Sequence, residues 1–259
     1  MARGFTVEAD MLGLIAAAVP EFAGPGAVAV FEVQSAAGVP DVVATVFDQD
    51  VIKARTDTGF VTDAASLAAL LALSDALGRR RALDARQIAA AAGVTASYVR
   101  SRVLPGLAAR GLAVMAAPGR WTAVSHYRSP ASTLVTIEAK LRDWRRGLGQ
   151  AARHAAGADA AWLVLDGACT RSAVGRADWF RAMGVGLAGL DPDGTLRLLL
   201  QPSGAGILRA RRELLAERLA ELHCSGAVSG PVGLVFGREL TPSTGADPRH
   251  AGALDRCSP

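Results

Sequence analysis

The chain has 259 residues, 51% apolar and 20% charged, which suits one large globular domain or two modest ones. No apolar run reaches the roughly 18 residues that a membrane-spanning helix needs, and the mean hydropathy of +0.26 owes much to alanine. The 28 Lys+Arg against 24 Asp+Glu give a formal charge of +4, and most of the basic side chains are arginine, a usage that suits phosphate contacts.

In chain order, "EADMLGLIAAAV" (8–19) reads as a helix that stops at Pro20. "AVAVFEVQS" (27–35) and "PDVVATVFD" (40–48) are β-rich runs joined by the turn-like "AAGV", so they read as a hairpin. A mixed stretch, "QDVIKARTDTGF", follows. From 63 to 124 the texture changes to three helices and a two-stranded ribbon. "AASLAALLALSDAL" is the first helix, and Asp84 caps the second, "ARQIAAAAG". After the turn "GVTASY", Thr95 or Ser97 starts the third, "SYVRSRVLPGLAARG". "LAVMAAPGRWTAV" then gives two short strands around Pro118-Gly119. This order of apolar helix, glycine turn, polar helix and ribbon resembles a winged helix-turn-helix over roughly a quarter of the chain. On that resemblance Ser97, Tyr98, Arg100 and Ser101 (with Arg102) face DNA phosphates or base edges, and Arg120 sits at the wing tip.

Beyond the loop "SHYRSPAS" comes the strand "STLVTIEAKL" and a basic helix ending near His154. "AAWLVLD" is a buried strand and "SAVGRADWFRAMG" a helix. Two strands then flank the turn Asp191-Pro192-Asp193-Gly194, and "ILRARRELLAERLAELH" is a last helix. From Ser225 a flexible tail (225–259) is expected, apart from a short strand at "VGLVFG". Acids in the opening "MARGFTVEADML" stand where a secretory leader would be apolar, so a soluble, cytoplasmic protein without a membrane partner is expected. Cys169, Cys224 and Cys257 are odd in number and far apart, which leaves no disulfide framework and no zinc spacing.

Alternation on "LVTIEAKL" puts Val135, Ile137, Ala139 and Leu141 on one face, and Thr136, Glu138 and Lys140 on the other. Charge on a central strand is costly unless something pairs with it, and a divalent cation beside a phosphate would do so. Pro40-Asp41 opening the second strand, Glu138-Ala139-Lys140, and Gln150 on the next helix together resemble the PD-(D/E)XK nuclease superfamily. The resemblance covers about residues 8–55 and 126–202. It implies an α/β fold, a restriction-endonuclease-like mixed sheet, with the winged helix inserted between the second and third strands. It implies Mg²⁺ or Mn²⁺ held by Asp41 and Glu138, with Asp41, Glu138, Lys140 and Gln150 as catalytic residues and duplex DNA as partner. His154 stands where one large branch of the superfamily carries a tyrosine. An auxiliary acid is left open among Glu8, Glu21 and Glu32, and so is a homodimer. The expected division is core 1–59 and 126–224, insertion 60–125, and tail.

The plainer readings are a strand-opening aspartate at 41, a solvated salt bridge between Glu138 and Lys140, an ordinary polar Gln150 and a packing His154. Two other functions compete with a nuclease: a DNA-binding regulator with a non-catalytic core, and a winged-helix module that binds protein.

Overall fold

A computed structural model describes residues 4–204, 206–227, 234–235 and 238–239. The first helix, α1 (Ala9–Ala17), buries Met11, Leu12 and Ile15. A short α2 (Val19–Ala23) follows with Pro20 in its first turn, where a missing N–H costs nothing. The hairpin is β1 (Val28–Phe31) and β2 (Val42–Phe47), antiparallel. β1 is shorter than the sequence suggests because Glu32 turns to φ 49°, a left-handed conformation that leaves the ladder.

After β2 the chain builds α3 (Gln49–Thr58), α4 (Ala64–Gly78), β3 (Leu83–Asp84), α5 (Ala85–Ala92) and α6 (Ala96–Tyr98). α6 runs through a widened π turn at Val99–Val103 into α7 (Leu104–Ala109). Pro105 sits in the first turn of α7, and the wide turn spares the clash of its ring with the preceding turn's carbonyl. Strands β4 (Ala113–Ala117) and β5 (Arg120–Ala123) pair, and β3 adds to β5, so the expected ribbon is a three-stranded sheet in the order β3-β5-β4. Aspartate or threonine caps start the helices: Asp48 accepts the Val51 N–H, Asp63 that of Ser66, and Thr95 that of Tyr98. Asp84 and Gln87 form a reciprocal capping box on α5. Each such cap stabilises by about 1 kcal/mol.

The chain re-enters the main sheet with β6 (Ala131–Lys140), then α8 (Trp144–Ala155) and β7 (Ala160–Asp166). The "SAVGRADWFRAMG" segment is two helices rather than one, α9 (Arg171–Val174) and α10 (Ala177–Met183), broken at Gly175-Arg176. β8 (Gly186–Leu190), β9 (Leu196–Leu200) and α11 (Arg209–Cys224) complete this part, and Leu234–Val235, inside the expected "VGLVFG" strand, pairs with Arg238–Glu239 just beyond it. Beyond 225–227, the rest of the expected flexible tail lies outside the described residues.

The main sheet has six strands in the order β1-β2-β6-β7-β8-β9. β6, β7 and β8 are parallel neighbours, whereas β2 and β9 run antiparallel to them. The fold is therefore mixed α/β. One face packs Val135, Ile137 and Ala139 under α1 and α2. The other packs Leu163, Leu165 and Leu187 against Trp144, Leu148 and Phe180 of α8 and α10. Each fully buried leucine or phenylalanine contributes about 1.5–3 kcal/mol, and β6 is covered on both faces.

Two compact units result. Among the described residues the first takes the chain up to Phe47, then Ala131–Arg212 and the end of α11 from Leu222; the second takes Asp48–Pro130 and Glu213–Glu221. The second is wider than the expected 60–125. α3 and the middle of α11 belong to it because Arg55 and Glu217 form a buried ion pair there, with an N–O distance of 3.1 Å, and the Val61 N–H donates to Glu217 at 2.8 Å. Among the described residues no helix is long and apolar enough to cross a membrane.

Candidate active site

β6 places Glu138 and Lys140 two residues apart, so both side chains leave the same face of the sheet, toward α8. α8 starts at the Asp143 cap, which accepts the Arg146 N–H. It comes close to β6 because Gly147 faces the strand: a Cβ there would lie 2.6 Å from Leu163 Cδ1 and 2.9 Å from Lys140 Cγ. Glycine at 147 thus sets the depth of the site.

Asp41 directly precedes the neighbouring strand. Val42 is the first β2 residue and lies opposite Ile137 of β6, and the Asp41 carboxylate continues the ladder by accepting the Ala139 N–H at 2.8 Å. Glu8 comes from the start of α1. It stands at the cap position but makes no side-chain cap, and its carboxylate reaches Lys140 instead. Around the Lys140 Nζ lie Glu138 Oε1 at 3.2 Å, Glu8 Oε2 at 3.4 Å and Asp41 Oδ2 at 3.5 Å, and the ammonium donates to the Ala139 carbonyl at 2.8 Å. Three carboxylates therefore share one ammonium. Side-chain exposure rises from 1% at Glu138 through 12% at Asp41 to 39% at Glu8, so the cluster opens to solvent on the Glu8 side.

The charge imbalance shows in the titration of the group. Burial, and then repulsion from Glu138, push the Asp41 carboxyl up to about 6, with Lys140 and the Ala139 N–H pulling the other way. Burial pulls the Lys140 amine down, but attraction to Asp41, Glu138 and Glu8 outweighs it and the net direction is upward.

On the far side of Glu138, its Oε2 has no hydrogen-bond partner, and His154 Nε2 stands 3.5 Å away. Gln150 Oε1, His154 Nδ1 and Thr136 Oγ1 are likewise buried without partners. Gln150 and His154 are four residues apart on α8 and so share a face. The His154 ring also packs on Gly38 of the hairpin turn, where φ is +115° and a Cβ would stand 3.0 Å from the ring. Buried polar atoms left unpaired are uncommon, and Glu138 Oε2 is one of them. Among the described residues no three His, Cys, Asp or Glu side chains are gathered as a metal cluster, since Lys140 stands between the acids.

The structure thus brings together Glu8, Asp41, Glu138 and Lys140, sets His154 beside Glu138, and leaves Gln150 on the His154 face of α8. Glu21 lies exposed on α2, and Glu32 is exposed at its left-handed turn. Sequence reading did not place Glu8, because its role depends on where α1 crosses the sheet. Nor did it find Gly147, although a glycine inside an amphipathic helix is a usable signal of close approach.

In the second unit Ser97, Tyr98, Arg100 and Ser101 are exposed. Arg100 lines a concavity of about 550 Å³ with Asp84, Arg86, Met115 and Trp121. Arg120 is occupied: its Nη1 donates to Gln87 Oε1 at 3.2 Å and lies 3.8 Å from Asp84.

No protein-family model matches the chain, and no curated protein and no solved structure matches it significantly.

Proposed function

We propose that the protein is a Mg²⁺- or Mn²⁺-dependent nuclease that docks on duplex DNA and hydrolyses the phosphodiester backbone. The observation that carries this reading is the meeting of Glu8, Asp41 and Glu138 around Lys140 at one end of a central strand. Supporting it, an antiparallel hairpin, an antiparallel third strand, a helical crossover and a parallel fourth strand are the element order of a restriction-endonuclease-like core. The winged-helix-like segment falls between the second and third strands of the sheet, as that reading requires.

Asp41 and Glu138 would hold the cation, with Glu8 at the open rim. A divalent cation in such a site makes water a better nucleophile and draws charge from a phosphoryl oxygen. The chain's own groups do the rest. Asp41, titrating near 6, is ionised at neutral pH and offers its carboxylate. Lys140, held charged by its acids, supplies a fixed positive group for the charge that develops on the phosphate. His154 borders Glu138, and Gln150 lies one turn earlier on the same face of α8. The second unit presents Ser97, Tyr98, Arg100 and Ser101 to DNA.

A second reading of that unit has its own observation: β4 is an edge strand and leaves Val114 and Met115 about half exposed, a surface that suits a protein partner.

The test is incubation of linear and supercoiled duplex DNA with the full chain in Mg²⁺ or Mn²⁺. Cleavage to 5′-phosphate and 3′-hydroxyl ends, lost in EDTA and in Glu138→Ala, is expected. Equal cleavage by wild type and Glu138→Ala would overturn the assignment. DNA binding without cleavage in either metal would leave a non-catalytic regulator.

A further inference from the structure

Just beyond Lys140 the chain forms a concavity of about 520 Å³, lined by Arg142, Asp143, Trp144, Arg145, Ser172 and Arg176. Its only carboxylate, Asp143, is engaged in capping α8. Its three arginines come from the loop after β6, the first turn of α8 and the α9–α10 junction, so three elements converge on one hollow.

The arginines are held in an unusual way. The Arg145 guanidinium lies 4.6 Å above the Trp144 ring and that of Arg176 lies 4.5 Å above Trp179. The two indoles meet edge to face at 5.8 Å. A guanidinium stacked on an indole keeps its planar N–H fork available while losing side-chain freedom. Arg176 has a loose contact with Asp178 at 3.7 Å, and both side chains are largely exposed, so that pair is weak. Neither Arg142 nor Arg145 has a carboxylate within salt-bridge distance among the described residues. A hollow with three guanidinium forks, two of them stacked on indoles, and no free acid suits an anion with several oxygens in different directions. A phosphate group has that shape, and guanidinium forks match it bidentately.

Its place in the chain says which phosphate. Arg142 is two residues from Lys140, so their Cα atoms are at most about 7.6 Å apart. That is near enough for one nucleic-acid strand to touch both the reacting centre and the hollow.

We propose that Arg142, Arg145 and Arg176 form a phosphate-gripping pocket that holds a nucleic-acid strand next to the Glu138–Lys140 centre. This rests on the nuclease reading for its substrate class. It makes the first unit, and not the winged-helix-like segment alone, a holder of the DNA. The phosphate is either an internal diester or a strand-terminal monoester; both offer non-bridging oxygens to the forks, and the monoester offers one more.

The test uses the full chain in EDTA, with fluorescence anisotropy of a short labelled duplex measured across a series of KCl concentrations. The triple variant Arg142→Ala, Arg145→Ala, Arg176→Ala removes up to three counterion-releasing contacts, so the slope of log affinity against log salt becomes shallower by up to about three units. Arg142→Ala alone stacks on no indole and leaves the Trp144–Trp179 contact alone; it should give about one unit even if the triple variant folds poorly. The triple Arg→Lys variant should keep the slope and lose affinity, because lysine keeps the charge but not the fork. A 5′-phosphorylated duplex preferred by wild type and not by the triple variant identifies the terminal monoester. Equal weakening with both kinds of end identifies the internal diester, and either result supports the pocket.

An unchanged salt slope in Arg142→Ala and in the folded triple variant overturns the pocket. If Mg²⁺-dependent cleavage persists there, the nuclease reading stands without it. The expected slope change with no cleavage in Mg²⁺ or Mn²⁺ upholds the pocket and overturns the nuclease. Poly-glutamate that binds wild type more tightly than DNA, and not the triple variant, overturns the nucleic-acid assignment in favour of an acidic protein partner.

Discussion

Each compact unit buries charge, and the two do so differently. In the second, Arg55 and Glu217 form one ion pair. The Arg55 Nε–H donates to Glu217 Oε1 at 3.1 Å, and the other carboxylate oxygen accepts the Val61 N–H, so both oxygens are partnered. In the first, three carboxylates share Lys140, and Glu138 Oε2, Gln150 Oε1 and His154 Nδ1 have no hydrogen-bond partner. A pair whose charges and lone pairs balance holds a fold together. A cluster with surplus acid and unpartnered atoms is unbalanced, and on the proposed reading a cation supplies the missing positive charge.

The largest expected effect lies in the unbalanced cluster. Asp41→Ala, Glu138→Ala and Lys140→Ala should each lower metal-dependent cleavage at least about a thousandfold, roughly 4 kcal/mol of transition-state stabilisation. The acid variants should also bind Mn²⁺ more weakly, whereas Lys140→Ala should not, since the lysine competes with the cation for the same carboxylates. Cleavage assays paired with calorimetry on each variant separate the two behaviours.

The balanced pair should respond in stability alone. Glu217→Ala leaves Arg55 buried and unpaired and should destabilise by about 3–5 kcal/mol in denaturant unfolding. The double change Arg55→Met with Glu217→Gln should recover most of that loss, because both charges leave together and the amide oxygen can still accept the Val61 N–H. If the double variant is as unstable as the single one, the pair is not the self-contained unit described.

Asp41 gives a pH signature. Its carboxyl is raised from an ordinary 3.8 to about 6, so between those values the folded chain holds a proton that the unfolded chain has released. That contribution is fully present below about pH 4 and is lost as pH rises through 6, an effect of order 2–3 kcal/mol. Asp41→Asn should remove it. Unfolding of wild type and variant in EDTA from pH 4 to 7 measures the difference, and parallel curves would contradict the shift.

The smallest effect concerns the winged-helix-like segment. Arg100→Ala with Arg120→Ala should make the salt dependence of DNA binding shallower by up to about two units. Arg120 should contribute the lesser part, because Asp84 and Gln87 already hold it. Metal affinity should not change. An unaltered slope would assign this surface to a protein partner, for which the exposed Val114 and Met115 are the better candidates.

Much of the sheet was legible in the sequence because its strands are continuous β-branched or leucine-rich runs, and the alternation at 135–141 placed Glu138 and Lys140 on one face. α3 was not legible. Its buried face is Val51, Ile52 and Arg55, and an arginine does not read as core until Glu217 is beside it. Its Asp48 cap also read as the end of a strand. The α9–α10 break hides in a run whose composition suits one helix, and β3 is two residues that exist only by pairing with β5. At the site, Glu138 and Lys140 were readable from pattern, since period 2 fixes their direction. Glu8 and His154 could be named as candidates but their contacts could not be read, because each reaches Lys140 or Glu138 from an element whose position depends on tertiary packing.

The most direct test is calorimetric titration of Mn²⁺ into the full chain at pH 7, wild type against Glu138→Gln. Glutamine keeps the shape of the side chain and removes its charge, so the core at β6 is preserved. The account predicts a saturable site in wild type that is weakened at least about tenfold in the variant, while both proteins unfold alike in the absence of metal. Identical isotherms for the two, or no binding by wild type, would contradict it and leave the Glu8, Asp41, Glu138 and Lys140 cluster a structural salt bridge.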